Sequence, residues 1–317
     1  MKTSVKQIYD ALCAQHIDIE IVQLSDEATL LLFTYEGKLR AISGTSPDLT
    51  SSTGRTIANN KYASAQVARR LDIPLPETVL YEDDAQARAF LERRQVMVVK
   101  PLDAAHGNGV TTAIRSVEQL QKAVKSAQEQ SSTVLLQQQV SGTDLRILVI
   151  GGELAAVAER VPAKVVGDGQ LSIAALIAKE NDTNPLRGVN YEKPLNQIDV
   201  TAAVRYIGED GMLRVPDEGE SVQVVGTANI GTGGHAVNRT GEIPAQIVEQ
   251  AVTFAKETGA FMCGVDFLYD QTAQAWYFIE ANSSPSLGLH LWPTIGESID
   301  VTALYVDRLL EQYRRRA

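Results

Sequence analysis

The segment that most constrains this chain is a pair of apolar runs near its end, Met262 to Leu268 and Trp276 to Asn282, separated by the polar stretch Tyr269 to Ala275. Both are rich in β-branched and aromatic residues and read as buried strands, and the polar stretch reads as their turn. Side chains alternate along a strand, so Glu280 and Asn282 share a face. A hairpin centred near Ala273 sets Asp266 opposite Glu280. Directly paired side chains approach to about 5 Å at Cβ, where like charges repel. Something cationic therefore belongs between them. Two acids and an amide are hard oxygen donors of the kind that hold Mg2+ together with substrate phosphates. A pair of solvated acids on an open sheet face is the competing explanation.

The 317 residues are enough for about two domains. Residues 1 to about 55 read as an opening unit. It has a helix over Val5–Gln15, strands over Ile17–Leu24, Thr29–Tyr35 and Leu39–Ile42, and a Ser/Thr/Gly-rich loop over Gly44–Arg55. A helix follows over about Asn60–Leu71, with Asn59 or Asn60 as its cap. Residues 76–140 alternate strand and helix, with helices over Asp84–Arg93 and Val117–Gln130 and strands over Val96–Lys100, Val110–Ile114 and Val134–Val140. Beyond 141 come a hairpin across Gly151-Gly152, helices over Ser172–Glu180 and Pro244–Thr258, the carboxylate hairpin, and a closing helix over Val301–Arg314. This alternation predicts an α+β fold.

The net charge of −10 argues against a nucleic-acid partner. No apolar run approaches a membrane span, and Met1–Asp10 lacks a signal-peptide core. The two cysteines, Cys13 and Cys263, are too few for a disulfide framework. These features fit a cytoplasmic location.

A second chemical signal lies in Val98–Val110. It is a strand ending in Lys100, a small-residue loop carrying His106, Gly107 and Gly109, and a further strand. Glycines let backbone N–H groups turn toward phosphate oxygens, and the lysine adds a point charge. The lysine precedes the loop, so this is not the Walker arrangement. Hairpin turns use the same residues, and His106 reads as a loop residue or phosphate donor.

The lysine, the glycine loop and the downstream Asp266…Glu280-Ala-Asn282 set, in this order, resemble the ATP-grasp superfamily. The nearer resemblance is to the glutathione synthetase half of the bifunctional bacterial glutathione enzyme and to the ATP-grasp part of cyanophycin synthetase. It also rests on Ile57–Lys61, Gly142–Arg146, Ala158–Ala163, Val166–Gly169, Asn184–Gly188, Asn229–Gly234 and His290, and runs from about Thr50 to the C-terminus. The resemblance implies an ATP-grasp fold, with two α+β subdomains clasping ATP behind a short N-terminal α/β unit. The divisions would be 1–55 on the substrate side and 56–317 for the ATP-grasp domain, with 76–140 as a lid and 141–317 carrying metal and substrate.

The implied chemistry is ATP-dependent ligation of a carboxylate to an amine through an acylphosphate, releasing ADP and phosphate, with an amino acid or small peptide as substrate. By the same resemblance, Lys61, Lys100, His106, Gly107, Gly109, Gln137, Gln138 and Val140 would bind ATP. Arg146 and Arg160 would neutralise the transferring phosphoryl group. Asn229, Gly233, Gly234 and His290 would bind substrate. Asp266, Glu280 and Asn282 would hold two Mg2+ ions, with Mn2+ as a substitute, and a homodimer follows by analogy. Each role has a plainer counterpart. Arg146 and Arg160 could pair with Asp144 or Glu159, Asn229–Gly234 could be only a turn, Asp168 reads as a turn residue, and His290 could be a cap. The chain departs from the family at Gln137-Gln138-Gln139, where relatives carry a Glu pair. It departs again at Lys164 and at Ser283-Ser284-Pro285-Ser286, on the expected substrate side, which argues against glutathione as the product. A true glutathione synthetase and a non-catalytic nucleotide-binding module are the alternatives.

Overall fold

The structure is a computed structural model and describes residues 3–25, 28–102, 109–189 and 193–316. The chain opens with helix α1 (Thr3–Ala14) and an antiparallel meander of β1 (Ile19–Gln23), β2 (Thr29–Tyr35), β3 (Lys38–Ser43) and β4 (Ser46–Pro47). The expected loop over Gly44–Arg55 is overturned in its second half by helix α2 (Ser52–Asn59). Its residues are poor helix formers. The helix is fixed instead by Ser51, whose hydroxyl accepts from the Gly54 N–H at 2.9 Å and donates to the Thr258 carbonyl at 3.2 Å. Asn60 then caps α3 (Lys61–Arg70), accepting from the Ala63 N–H at 2.8 Å.

The next unit follows the expected alternation. It contains β5 (Thr78–Leu80), α4 (Asp84–Arg94), β6 (Met97–Pro101), β7 (Thr111–Ile114), α5 (Val117–Gln128) and β8 (Val134–Gln138), forming a sheet of order β5-β8-β6-β7. Helices α4 and α5 cover it, and their Phe90, Leu91, Leu120 and Val124 close a separate core with Met97, Val99 and Leu136. Helix α5 begins in a capping box formed by Ser116 and Gln119.

The central sheet is built from β9 (Thr143–Ile150) and β10 (Glu153–Val161). After β10 comes an excursion of β11 (Lys164–Val166), α6 (Ile173–Thr183), β12 (Arg187–Gly188), β13 (Leu195–Asn196), α7 (Val200–Leu213) and β14 (Ser221–Gln223). Sequence periodicity did not reveal α7; Gly208, at φ +79°, breaks its helical backbone and dilutes the signal. A 3₁₀ turn (Ile230–Thr232), β15 (His235–Asn238), α8 (Ala245–Thr258), β16 (Met262–Asp270), β17 (Ala275–Asn282), α9 (Gly288–Leu291) and α10 (Val301–Arg315) complete the chain. The sheet order is β15-β10-β9-β16-β17, all antiparallel.

Alternation along β9 divides this sheet into two faces. Leu145, Ile147 and Val149 join Phe254 of α8 and Phe267 and Phe278 in one core. Leu148 and Ile150 point the other way, into a core with Ile8 of α1, Leu31 and Phe33 of the opening sheet, and Tyr305 and Leu309 of α10. The opening meander is therefore packed onto the central sheet. Helices α1 and α10 cover only one end of that second face, and its other end carries charge.

Candidate active site

The hairpin register is as expected at its chemical end. Asp266 pairs with Glu280 and Gly264 with Asn282, and a bulge follows between Asp266 and Phe267. Asp266 also pairs with Arg146 of β9, which in turn faces Ala158 of β10, while Arg160 faces Asp144. Direct partners share a face, so Glu280, Asp266, Arg146, Arg160 and Asp144 form one charged field across four strands. Two small residues make room for the guanidinium groups. A Cβ at Gly264 would lie 3.2 Å from Arg146 Cδ and 2.8 Å from Pro285 Cβ, and Ala158 lies between the two arginines in register.

Guanidinium groups neutralise Asp266 from the side of the sheet away from Glu280. Arg146 binds Asp266 through Nε and Nη2, both at 2.7 Å, in a bidentate fork. Arg160 Nη2 reaches Asp266 Oδ2 at 2.8 Å and Asp144 Oδ1 at 2.6 Å. Asp266 is only 1% exposed. Burial pushes its carboxyl upward, but Arg146 and Arg160 outweigh burial and hold it below the ordinary range. Burial, with Asp266 alongside, lifts Asp144 to about 6 although Arg160 pulls it down. The plainer expectation thus holds for Arg160, which pairs with Asp144, whereas Glu159 is taken by Arg239.

Glu280 makes no hydrogen bond or ion pair among the described residues, yet its charge is felt by both Lys100 and Arg160. Asn282 lies two register positions on, on the same face, its Oδ1 accepting from the Ser284 N–H at 2.8 Å. Among the described residues no group of three or more His, Cys, Asp or Glu side chains is arranged to hold a metal ion by itself. Apart from Asp144, which Arg160 binds, the oxygen donors on this face are two carboxylates and one amide. Such a set suits Mg2+, which keeps several waters and takes further oxygens from phosphate. Glu280, with no partner among the described residues, fits that role, whereas Asp266 would share its oxygens with two arginines.

Lys100, at the end of β6, is 5% exposed. Its Nζ donates to Gln137 Oε1 at 3.0 Å, and Gln137 Nε2 donates to Thr78 Oγ1 at 2.7 Å. The partner is a neutral amide, so burial lowers Lys100 to about 8, with Glu280 pulling it back up and Lys61 adding to the fall. Gln137, expected at the nucleotide, thus has both ends of its amide engaged within the protein. Gln138 accepts from the Glu77 N–H at 3.4 Å, and Val140 is buried. Lys61 sits at the start of α3 and donates to the Leu102 carbonyl at 3.4 Å, bringing it to the same strand end as Lys100. His106 and Gly107 lie outside the described residues, while Gly109 has the left-handed φ of +71°.

On the substrate side, Asn229 caps the 3₁₀ turn by accepting from the Gly231 N–H at 3.1 Å. Gly233 has φ +95°, and a Cβ there would lie 2.5 Å from Ile198 Cα. At Gly234 a Cβ would lie 2.7 Å from the Val161 carbonyl oxygen. Both glycines are demanded by close backbone packing. Sequence reasoning gave no role to Arg187, which is buried. It binds Glu180 at 2.9 Å and the carbonyls of Asn196 and Gly233 at 2.7 and 3.0 Å, tying the glycine turn to the excursion. Its only sequence signal is its place in Asn184–Gly188. His290, on α9, is 3% exposed, and its Nε2 has no partner among the described residues. Burial, and then the charge of Arg146, lower it to about 3, so it is neutral near pH 7. Asp168 is a turn residue, accepting from the Gln170 and Leu171 N–H groups at 3.1 and 2.8 Å.

Residues 67–184 match the model of the prokaryotic glutathione synthetase ATP-grasp domain. The chain is 31% identical over 290 residues to cyanophycin synthetase of Trichormus variabilis, covering 88% of this chain and 32% of that protein. It is 31% identical over 272 residues to the glutathione biosynthesis bifunctional protein of Pasteurella multocida, covering 81% of this chain and 36% of that protein. The chain thus spans about a third of the length of these curated relatives. Among solved structures, the bifunctional glutathione synthetase from Pasteurella multocida superposes with a TM-score of 0.69 at 28% identity, over 98% of this chain and 44% of that one. A D-alanine–D-alanine ligase from Bacillus anthracis shares the fold, with a TM-score of 0.52 at 13% identity, over 84% of this chain and 70% of that one.

Proposed function

We propose that this chain, a member of the ATP-grasp superfamily with its α+β fold, is an ATP-dependent carboxylate–amine ligase that joins an amino acid or small peptide to an amine. The observation that carries this reading is the charged field itself. A carboxylate without a partner among the described residues (Glu280), a buried carboxylate (Asp266) and two guanidinium groups lie on one sheet face, within the electrostatic reach of a buried lysine from the β5-β8-β6-β7 sheet. Phosphoryl transfer needs positioned charge far more than a protein nucleophile.

In this reading the β5-β8-β6-β7 sheet is the lid subdomain, and residues 141–317 form the metal and substrate subdomain. Lys61 and Lys100 bind the phosphates of ATP from the lid side. Arg160 and Arg146 stabilise the charge on the group passing to the substrate carboxylate and on the oxygens of the carbon attacked by the amine. Asp266 holds both guanidinium groups in place until the nucleotide arrives. Asp266, Glu280 and Asn282 are the residues that would hold Mg2+, which when bound neutralises phosphate charge. Neutral His290, beside Arg146, and the backbone of Asn229–Gly234 face the acyl substrate.

The test is an ADP-release screen over paired carboxylic acids and amines, with mass spectrometry of the product. ADP released only when both partners are present supports the reading. AMP and pyrophosphate would overturn the acylphosphate route, and tight ATP binding with no turnover on any pair would favour a non-catalytic nucleotide-binding module. The matched family model favours a second reading, glutathione synthetase. Activity confined to γ-glutamylcysteine plus glycine would select it.

A further inference from the structure

Beside the proposed substrate pocket lies an open cleft of about 320 Å³ whose apolar walls are Leu186, Pro194, Leu291, Trp292 and Pro293. Trp292 is 39% exposed and Leu186 47% exposed, so large apolar groups face solvent there. Two hydroxyls also line the cleft, but both are engaged. Thr294 Oγ1 donates to the Ala236 carbonyl at 3.0 Å and Ser298 Oγ to the Leu291 carbonyl at 2.6 Å. What remains for an occupant is an apolar surface, in a volume at the small end of the range for ligand sites.

The walls are fixed by the fold. The Trp292 ring lies over Gly288, where a Cβ would be 3.3 Å from it. Gly296 turns the far rim at φ +87°, and a Cβ there would lie 2.9 Å from Asn238 Cβ. Backbone bonds from Thr294 to Ala236 at 2.8 Å and from Asn238 to Ile295 at 2.9 Å pin this loop to β15. The cleft borders the charged field, because Ala236, to which its loop is bonded, is the register partner of Arg160. Trp292 stands two residues beyond His290, whose imidazole feels Arg146. Leu186 directly precedes Arg187, which holds the Gly233 carbonyl.

We propose that this cleft receives the apolar side chain of an amino-acid substrate, so that the enzyme selects a leucine- or phenylalanine-like partner over glycine or aspartate. The proposal rests on the ligase reading and names its substrate class. Filling an apolar pocket of this kind discriminates by roughly 10- to 100-fold.

The experiment uses the full chain carrying Trp276→Phe, which leaves Trp292 as its single tryptophan. With ATP and Mg2+ present, L-leucine should shift the Trp292 emission and saturate at a concentration at least tenfold below that needed for glycine. In ADP release, Trp292→Ala and, separately, the surface change Leu186→Ser should each erase most of the leucine preference through KM, with kcat largely kept. Leu186→Ser supplies the answer if Trp292→Ala does not fold. Ligation of only glycine or acidic amino acids, or a leucine preference untouched by both changes, would overturn the cleft assignment and leave the ligase reading standing. Absence of ADP release with every pair would remove both.

Discussion

At the scale of single residues, Glu280 and Asp266 are paired in register but differ in what they do. Glu280 has no partner among the described residues, so Glu280→Gln should leave the melting temperature within a degree or two while lowering ligation by about 10²- to 10³-fold, read by ADP release. Asp266 binds the buried guanidinium group of Arg146 and the half-buried one of Arg160. Asp266→Asn strips Arg146 of its carboxylate while Arg160 keeps Asp144, and should cost about 3–5 kcal/mol, because an uncompensated buried charge is what remains at Arg146; urea denaturation measures it. Lys100 gives a pH signature. Its folded value of about 8 lies below the ordinary 10.5, so the buried charge burdens the fold fully below pH 8, and that burden lifts as the pH rises toward 10.5. Nucleotide affinity runs the other way. It should be flat below pH 8 and fall by up to roughly tenfold per pH unit above it, as the lysine loses its proton. Lys100→Arg, which stays charged, should remove that basic limb in calorimetric titrations with ATP, and a limb that persists would assign it to another group.

At the scale of elements, α2 is the instructive case. Ser52-Thr-Gly-Arg-Thr-Ile-Ala-Asn59 reads as a loop because serine, threonine and glycine compete with helical hydrogen bonding. The Ser51 cap and the burial of Gly54 and Ala58 turn it into a helix. Ser51 bonds to both Gly54 and the last residue of α8, so Ser51→Ala should lower stability by about 1–2 kcal/mol and leave α3, capped independently by Asn60, intact. A thermal melt checks the first part and hydrogen exchange of the α3 amides the second. Elements with strong local patterning, such as α5 with its capping box and β2 with its apolar run, needed no tertiary help to be read. By contrast α7, interrupted at Gly208, did need it.

At the scale of the whole molecule, the core around Tyr305 joins α1, the opening sheet, one face of the central sheet and α10. Tyr305 also donates to the Thr45 carbonyl at 3.1 Å, and Tyr313 bonds to Asp48. The opening unit and the central sheet should therefore unfold together. Tyr305→Ala, which empties the middle of their shared core, should cost about 3–5 kcal/mol and move both in one calorimetric transition. The β5-β8-β6-β7 sheet has a core of its own and should be affected far less, as hydrogen exchange of β6 and β8 would report.

Short-range chemistry was enough to read the strand–helix alternation, the closing hairpin with Asp266 opposite Glu280, and the lysine that ends β6, because period, turn residues and caps act within a few positions along the chain. Tertiary structure alone decided what each charge touches. Arg146 and Arg160 are 120 and 106 residues from Asp266, and only the order β10-β9-β16 sets all three side by side on one face. The same holds for the amide that Gln137 presents to Lys100, for Arg187 beneath the glycine turn, and for the apolar cleft beside His290. Each is a meeting of segments remote in sequence, and no local pattern of residues specifies such a meeting before the sheets are assembled.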